Sequence, residues 1–241
     1  LYILWTGIAI MVMTIIGNNI MIGAILKLSY NQIGENTIIG GICGTCFAID
    51  RHRLLTAEHI ISKNSFTPDN GFEKVRYWAL LESGQNIEIY KNNIESKREK
   101  DLSIIKTSKW INGKVLKVIN SETNINSTCG NYGYTARTMP DIDGAWSKRK
   151  FNIKFHSLQE NRIHSSGYVK SIKNAEVNTN DLNLKSRILE LSYGGREGMS
   201  GGCLQNENNE IIGLMSFGLP PDQAVKNILF AVDIREIINY L

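Results

Sequence analysis

Cysteine is scarce in this chain, with four residues in 241, at positions 43, 46, 129 and 203. Cys43-x-x-Cys46 has the spacing of half a zinc site, but no second His or Cys pair of matching spacing exists elsewhere. On an extended strand, residues three apart point to opposite faces. The expectation is therefore buried free thiols in place of a zinc site; no metal or organic cofactor is expected. A strong excess of one charge is also missing. Twenty-seven Lys and Arg stand against 23 Asp and Glu, a net charge of +4, which does not compel a nucleic-acid partner. The basic clusters Lys97-Arg98-Glu99-Lys100 and Ser147-Lys148-Arg149-Lys150 are expected to be solvated loops, with weak binding to RNA or an anionic membrane as the alternative. There is no internal repeat and no low-complexity tract, and the apolar fraction of 42% is that of a globular chain.

The third absence is local. Residues 1–26 contain no charged side chain, and Asn18-Asn19 is their only strongly polar interruption. About 20 apolar residues suffice to cross a bilayer as a helix. The run lacks the basic start and small-residue cleavage site of a secretory signal. Residues 1–27 are accordingly expected to form a transmembrane or membrane-associated helix, followed by a polar linker over 28–35. The first residue is Leu, which suggests a processed product, a fragment or an excised domain. Joined to a membrane segment, it suggests part of a larger polyprotein.

From Asn36 the chain presents short β-type runs separated by Asn, Gly, Asp and Ser clusters. Thr37–Ile49 and Leu54–Thr56 come first, followed by 77–81, 87–90 and 102–106. Residues 110–126 are mixed in character. A second set covers 130–136, 151–155, 167–172, 188–191, 203–204, 211–217 and 229–232. Many short strands with turn signals predict an all-β barrel or sandwich. Ile234, Ile237, Ile238 and Leu241 lie at helical spacing behind Asp233, a capping residue, and predict a short C-terminal helix.

Chemistry concentrates at Gly198-Met199-Ser200-Gly201-Gly202-Cys203-Leu204. Glycines allow sharp turns and close approach of a ligand to backbone. A serine held there can present its hydroxyl while neighbouring N–H groups meet a developing oxyanion. Upstream stand Thr56-Ala57-Glu58-His59 and Asp101-Leu102-Ser103-Ile104-Ile105, a base and an acid in the chain order His, Asp, Ser.

These segments resemble the chymotrypsin-like serine proteases over roughly residues 36–238. Gly44-Thr45-Cys46-Phe47-Ala48-Ile49 is similar to an early strand of that family, with Cys46 in place of a glycine. Gly213-Leu214-Met215-Ser216-Phe217-Gly218 and Leu229-Phe230-Ala231-Val232 are similar to later strands. The resemblance implies two six-stranded antiparallel β-barrels, over 36–110 and 128–241, joined by a linker over 111–127, with the active site between them. It implies His59 as general base, Asp101 as its orienting acid, Ser200 as nucleophile, and the N–H groups of Gly198 and Ser200 as oxyanion hole. Ser216 would help to hold the acid. His52, His156 and His164 lack such a context. Gly194, Gly195, Arg196 and Glu197, with Met215, Ser216, Phe217 and Gly218 on the facing strand, are the expected substrate-binding residues. The acid of basic-specific members would fall near Gly194 and the histidine of glutamine-selecting members near Met215. Neither is present, which leaves an apolar or small residue as the expected preference, with Arg196 or Glu197 placed to reach in.

Two departures carry information. Ile60 stands where secreted members have a cysteine after the histidine, which favours a reducing compartment or one where disulfides are not needed. Met199 stands where zymogen-activated members have an acid, so Ile38-Ile39-Gly40-Gly41 is not an activation terminus. The expected activity is serine endopeptidase, acting on a polypeptide through an acyl-enzyme. The expected setting is a viral polyprotein processed in cis and trans, with the protease domain cytosolic and tethered to a membrane through residues 1–26. A membrane-anchored cellular quality-control protease and an inert protease fold that binds RNA or scaffolds are the alternatives.

Overall fold

The computed structural model describes residues 21–30, 38–68, 71–134, 142–143, 152–153, 162–179, 182–219 and 228–241. The first half is built from β1 (Ile22–Tyr30), β2 (Ile38–Ala48), β3 (Arg53–Thr56), β4 (Lys74–Leu81), β5 (Asn86–Ile89), β6 (Ile94–Lys97) and β7 (Leu102–Lys106). They form one sheet in the order β5-β4-β1-β2-β3-β7-β6. The two ends of this sheet converge on one core. Ile87 and Ile89 of β5 and Ile94 of β6 bury in the same cluster as Ile25, Cys46, Leu54, Tyr77 and Ile105. No pairing joins β5 to β6 among the described residues. The expectation of a closed six-stranded first barrel is thus corrected to a curled seven-stranded sheet. Its end strands are four residues each and meet through a 3-10 turn at Lys91–Asn93.

The second half contains β8 (Lys117–Val118), β9 (Thr128–Tyr134), β10 (Ile142–Asp143), β11 (Asn152–Ile153), β12 (Arg162–Asn178), β13 (Asn183–Leu191), β14 (Cys203–Asn206), β15 (Glu210–Leu219) and β16 (Ile228–Asp233). Six of these close into a ring, β14-β9-β12-β13-β16-β15, completed by the β14–β15 pairing, while β8 adds to β15 in parallel. The small β10–β11 ribbon stands apart. Cys129, Val169, Leu189, Leu204, Ile212 and Met215 fill the ring. A third cluster lies between the halves and draws from both, from Leu26, Phe47, Trp78 and Ile104 on one side to Tyr134, Ile188, Leu214 and Phe230 on the other.

The expected transmembrane helix over 1–27 is corrected where residues 22–27 are strand, and the linker behind it where residues 28–30 continue that strand. β1 pairs with β2 on one edge and β4 on the other and is an interior strand of the first sheet. Ile25 faces the core of the first half, whereas Ile22, Ala24, Leu26 and Leu28 face the seam between the halves. A strand buried on both faces is apolar at nearly every position, which is the pattern that also marks a membrane span. Residues 1–20 lie outside the described residues. Among the described residues no helix is long and apolar enough to cross a membrane. The polar linker over 28–35 begins inside β1, since Leu28 and Ser29 are fully buried.

The C-terminal helix is corrected too. Residues 234–236 and 238–240 form two successive 3-10 turns, with Asp233 accepting a hydrogen bond from Arg235 N at 3.1 Å. A period of three stacks Ile234 and Ile237 on one face, and both are completely buried in the seam. The long β12–β13 hairpin reaches across to the first half. Lys100 bridges Leu184, Lys185 N donates to Glu99 O at 2.8 Å, and Lys100 Nζ meets Glu236 at 2.5 Å. On the other side of the seam Tyr134 Oη donates to Glu82 Oε1 at 2.7 Å, and Arg162 Nε lies 3.2 Å from the same oxygen. Burial raises the Glu82 carboxyl above the usual carboxylate range.

Two stability measurements follow from this packing. Leu26→Ala is expected to cost about 2–5 kcal/mol in denaturant unfolding, as for other fully buried leucines; a lipid-facing residue would cost far less. Glu190 accepts from Lys170 at 2.6 Å, Lys173 at 2.9 Å and Ser171 at 2.9 Å. Those bonds, led by Lys170, lower its carboxyl from 4.5 to about 2 against the cost of burial. A depressed folded-state pKa stabilises fully above the unfolded value of 4.5 and ceases to do so as pH falls through about 2. Glu190→Gln should therefore flatten the loss of thermal stability between those two pH values and lower stability at pH 7.

Candidate active site

Three short segments deliver the polar groups to the seam. β3 ends at Thr56, and the turn after it presents His59, with Ile60 N and Ile61 N both bonded to Ala57 O. Ser103 of β7 donates to Ile61 O at 2.6 Å and pins that turn from beneath. Asp101 precedes β7 with φ of +45°, a left-handed conformation that Asp tolerates better than most residues. Its own backbone is tied on both sides, from Asp101 N to Arg98 O at 3.0 Å and from Glu58 N to Asp101 O at 3.1 Å.

The Asp101 side chain is fully buried. His59 Nδ1 lies 2.9 Å from each carboxylate oxygen, and His59 N donates to Oδ1 at 3.0 Å. Ser216 of β15 donates its hydroxyl to Oδ2 from the opposite half. Neighbouring Glu58 is half-buried; burial, and then the negative charge of Asp101, raise its carboxyl.

The Ser200 loop is shaped by glycines at two positions. Gly198 has φ of +91° and Gly201 of +83°, both in the left-handed region. A Cβ on Gly201 would also lie 2.2 Å from Thr45 O and from Thr56 Oγ1, so the loop is pressed directly against the first half. Thr45 is the clasp. Its N donates to Ser200 O at 2.8 Å, its Oγ1 donates to Gly198 O at 2.7 Å, and the same oxygen accepts from Tyr134 N at 3.1 Å. Thr56 Oγ1 in turn donates to Thr45 O at 2.7 Å. From below, Gly201 N donates to Met215 O and Met215 N to Gly202 O, each at 2.8 Å. Among the described residues the N–H groups of Gly198 and Ser200 have no acceptor. Ser200 Oγ donates its one proton to Ser216 O at 2.7 Å.

The other residues singled out from the sequence are distributed as follows. Gly194, Arg196, Glu197 and Gly218 are exposed, and Gly195 and Phe217 are half-buried. Phe217 stacks on Phe230, ring centroids 4.8 Å apart. Met215 is fully buried inside the second barrel, so the structure brings it to the serine loop through backbone bonds. Met199 is buried against Gly133, and its Sδ accepts from Arg196 N at 3.2 Å; it is a packing residue at the position where an acid would form an ion pair. Ile60 packs on Gly44, an apolar contact in place of a disulfide. Cys43 is skipped in the β1–β2 register, and this bulge turns Cys43 and Cys46 toward the same core, against the opposite-face expectation. All four cysteines are free, and burial pushes Cys43 and Cys203 up to about 12. Among the described residues no cluster of three His, Cys, Asp or Glu is arranged for a metal. His52 lies edge-on to Trp110 and His164 stacks on Tyr132, while His156 is outside the described residues. Ser147–Lys150 lies outside them as well. Thr45, Thr56 and Ser103 are the supporting residues that the sequence reading missed. Their only signal is a hydroxyl set among apolar strand neighbours.

A fold of two β halves with a His, an Asp and a Ser gathered at their seam defines a class, and the comparisons agree with it. The family model described as Trypsin matches residues 27–240. The chain belongs to the trypsin family of serine endopeptidases. No curated protein matches it. Among solved structures, the Rv3671c protease from M. tuberculosis in its active form is similar with a TM-score of 0.61 and 12% identity, covering 94% of this chain and 81% of that one. The inactive form of the Rv3671c protease gives a TM-score of 0.57 and 13% identity, with 90% and 86% covered. At such identities the likeness is one of fold.

Thr45→Val keeps the shape and removes the clasp. The Gly198 carbonyl and the Tyr134 N–H lose their buried partner, a loss expected to cost about 1–3 kcal/mol in unfolding. Peptidase kcat should fall at least about tenfold, since small displacements at a reacting centre are costly. Steady-state kinetics beside chemical denaturation would check both.

Proposed function

We propose that this endopeptidase works through His59, Asp101 and Ser200. The observation that carries the reading is the buried Asp101 carboxylate on His59 Nδ1 at 2.9 Å. A carboxylate there fixes the tautomer in which Nε2 is the proton acceptor and stabilises the imidazolium that forms. In the reaction Ser200 Oγ attacks the peptide carbonyl as its proton passes to His59. The oxyanion is met by the N–H groups of Gly198 and Ser200, and His59 then protonates the leaving amine. Water, activated by the same histidine, hydrolyses the acyl-enzyme.

The finer reading is that the substrate is the precursor that contains this chain, a viral polyprotein cut in cis and trans near a membrane. What supports it is the uncharged run over residues 1–20, directly ahead of β1.

A serine-directed fluorophosphonate should label the wild type and fail to label Ser200→Ala. Asp101→Asn should keep the fold and lose about 10⁴-fold in kcat. Equal labelling of wild type and Ser200→Ala would overturn the assignment. A precursor spanning both flanking junctions should be cut when wild type and stay intact as Ser200→Ala; identical processing of the two would remove the polyprotein reading.

A further inference from the structure

On the peptidase reading, the substrate side chain on the acyl side of the scissile bond, P1, enters between the segment ahead of Ser200 and strand β15. The first carries glycine at 194 and 195, and the second carries glycine at 218. Glycine walls would by themselves leave a wide slot, fit for a large aromatic or basic residue. The slot is not empty. In the β15–β16 register Leu229 stands directly opposite Gly218. Its isobutyl group reaches across to Gly195, where an added Cβ would meet Leu229 Cδ1 at 2.6 Å, Cδ2 at 3.1 Å and Cγ at 3.4 Å. The direction in which a side chain at 195 would project is therefore already filled. Leu229 is anchored there by the second-barrel core, which it shares with Leu191 and Met215, and only 6% of it is exposed.

The geometry points to Leu229 as the residue that sets the depth of the P1 pocket, and to a P1 side chain no larger than that of alanine or serine. The inference rests on the peptidase reading above. Arg196 and Glu197 do not alter it, since both are exposed to solvent. A charged P1 group would meet an aliphatic floor with no counter-ion, and a large apolar one would collide with it. Each methylene that a pocket cannot seat costs about 10–200-fold in discrimination.

The test uses the full chain and peptides that differ only at P1. Wild type should cleave the Ala peptide with kcat/KM at least about 100-fold above the Phe and Lys peptides. Leu229→Ala should raise the Phe-to-Ala ratio at least about tenfold without raising Lys. Leu229→Val should move the ratio the same way by less, and it places a β-branched, strand-favouring residue in β16 should the alanine variant not fold. The ratio is taken on one population of molecules, so partial unfolding does not change it. A wild-type preference for Phe, Leu or Lys, or a ratio unmoved in the variants that fold, overturns the inference. Fluorophosphonate labelling separates the two failures: a labelled enzyme with the wrong preference sinks only the role of Leu229, whereas absence of labelling sinks the peptidase reading and this inference with it.

Discussion

The Asp101 carboxylate is the constraint on which the rest of the molecule depends. It is fully removed from solvent, and an ionised group so placed is tolerated only when hydrogen-bond donors replace the water it has lost. Its donors come from both halves, His59 N and Nδ1 from the first and the Ser216 hydroxyl from the second. Neither half supplies the full set alone. Docking the halves correctly and satisfying this charge are therefore one event, and the placement of His59 beside Asp101 follows from the same condition. The positive φ at Asp101 is maintained because backbone bonds to Arg98 and Glu58 fix the chain on either side.

The Ser200 loop is held by complementary means. Thr45 of the first half grips its carbonyls at Gly198 and Ser200, Thr56 holds Thr45 in turn, and Met215 grips the loop from the second half. Gly201 has to be glycine twice over, for its φ and for the threonine oxygens that would touch a Cβ. Gly198 N and Ser200 N make no hydrogen bond among the described residues, and on the proposed mechanism they would meet the oxyanion. A preorganised pair of donors costs no rearrangement when charge develops, which is why rigidity in the clasp bears on rate as well as on stability.

What was legible in the sequence followed the locality of each signal. His59, Asp101 and Ser200 sit in short strings whose neighbours are dictated by the site, so the strings announce themselves. β1 was misread because a strand flanked by two sheet neighbours and buried on both faces has no polar side to show, and composition alone cannot separate it from a membrane span. Cys43 was misplaced because a bulge breaks the two-residue alternation, and a bulge is a matter of register between strands. The 3-10 form of the C-terminus follows from two isoleucines reaching one seam, a tertiary demand. Leu229 lies outside every motif. Its position against Gly195 exists only once β15 and β16 are paired and the serine loop has folded over them.

Ser216 joins these threads. Its hydroxyl holds Asp101 and its carbonyl holds the proton of Ser200, so one residue of β15 restrains both ends of the relay. A strand-like substrate lying along β15 carries backbone N–H groups that compete for that carbonyl. On the proposed mechanism, occupation of the carbonyl by substrate would free the Ser200 hydroxyl to donate to His59. Selection at Leu229 and release of that hydroxyl would then share a single β-ladder, and neither requires an acid at position 199 or a freed amino terminus.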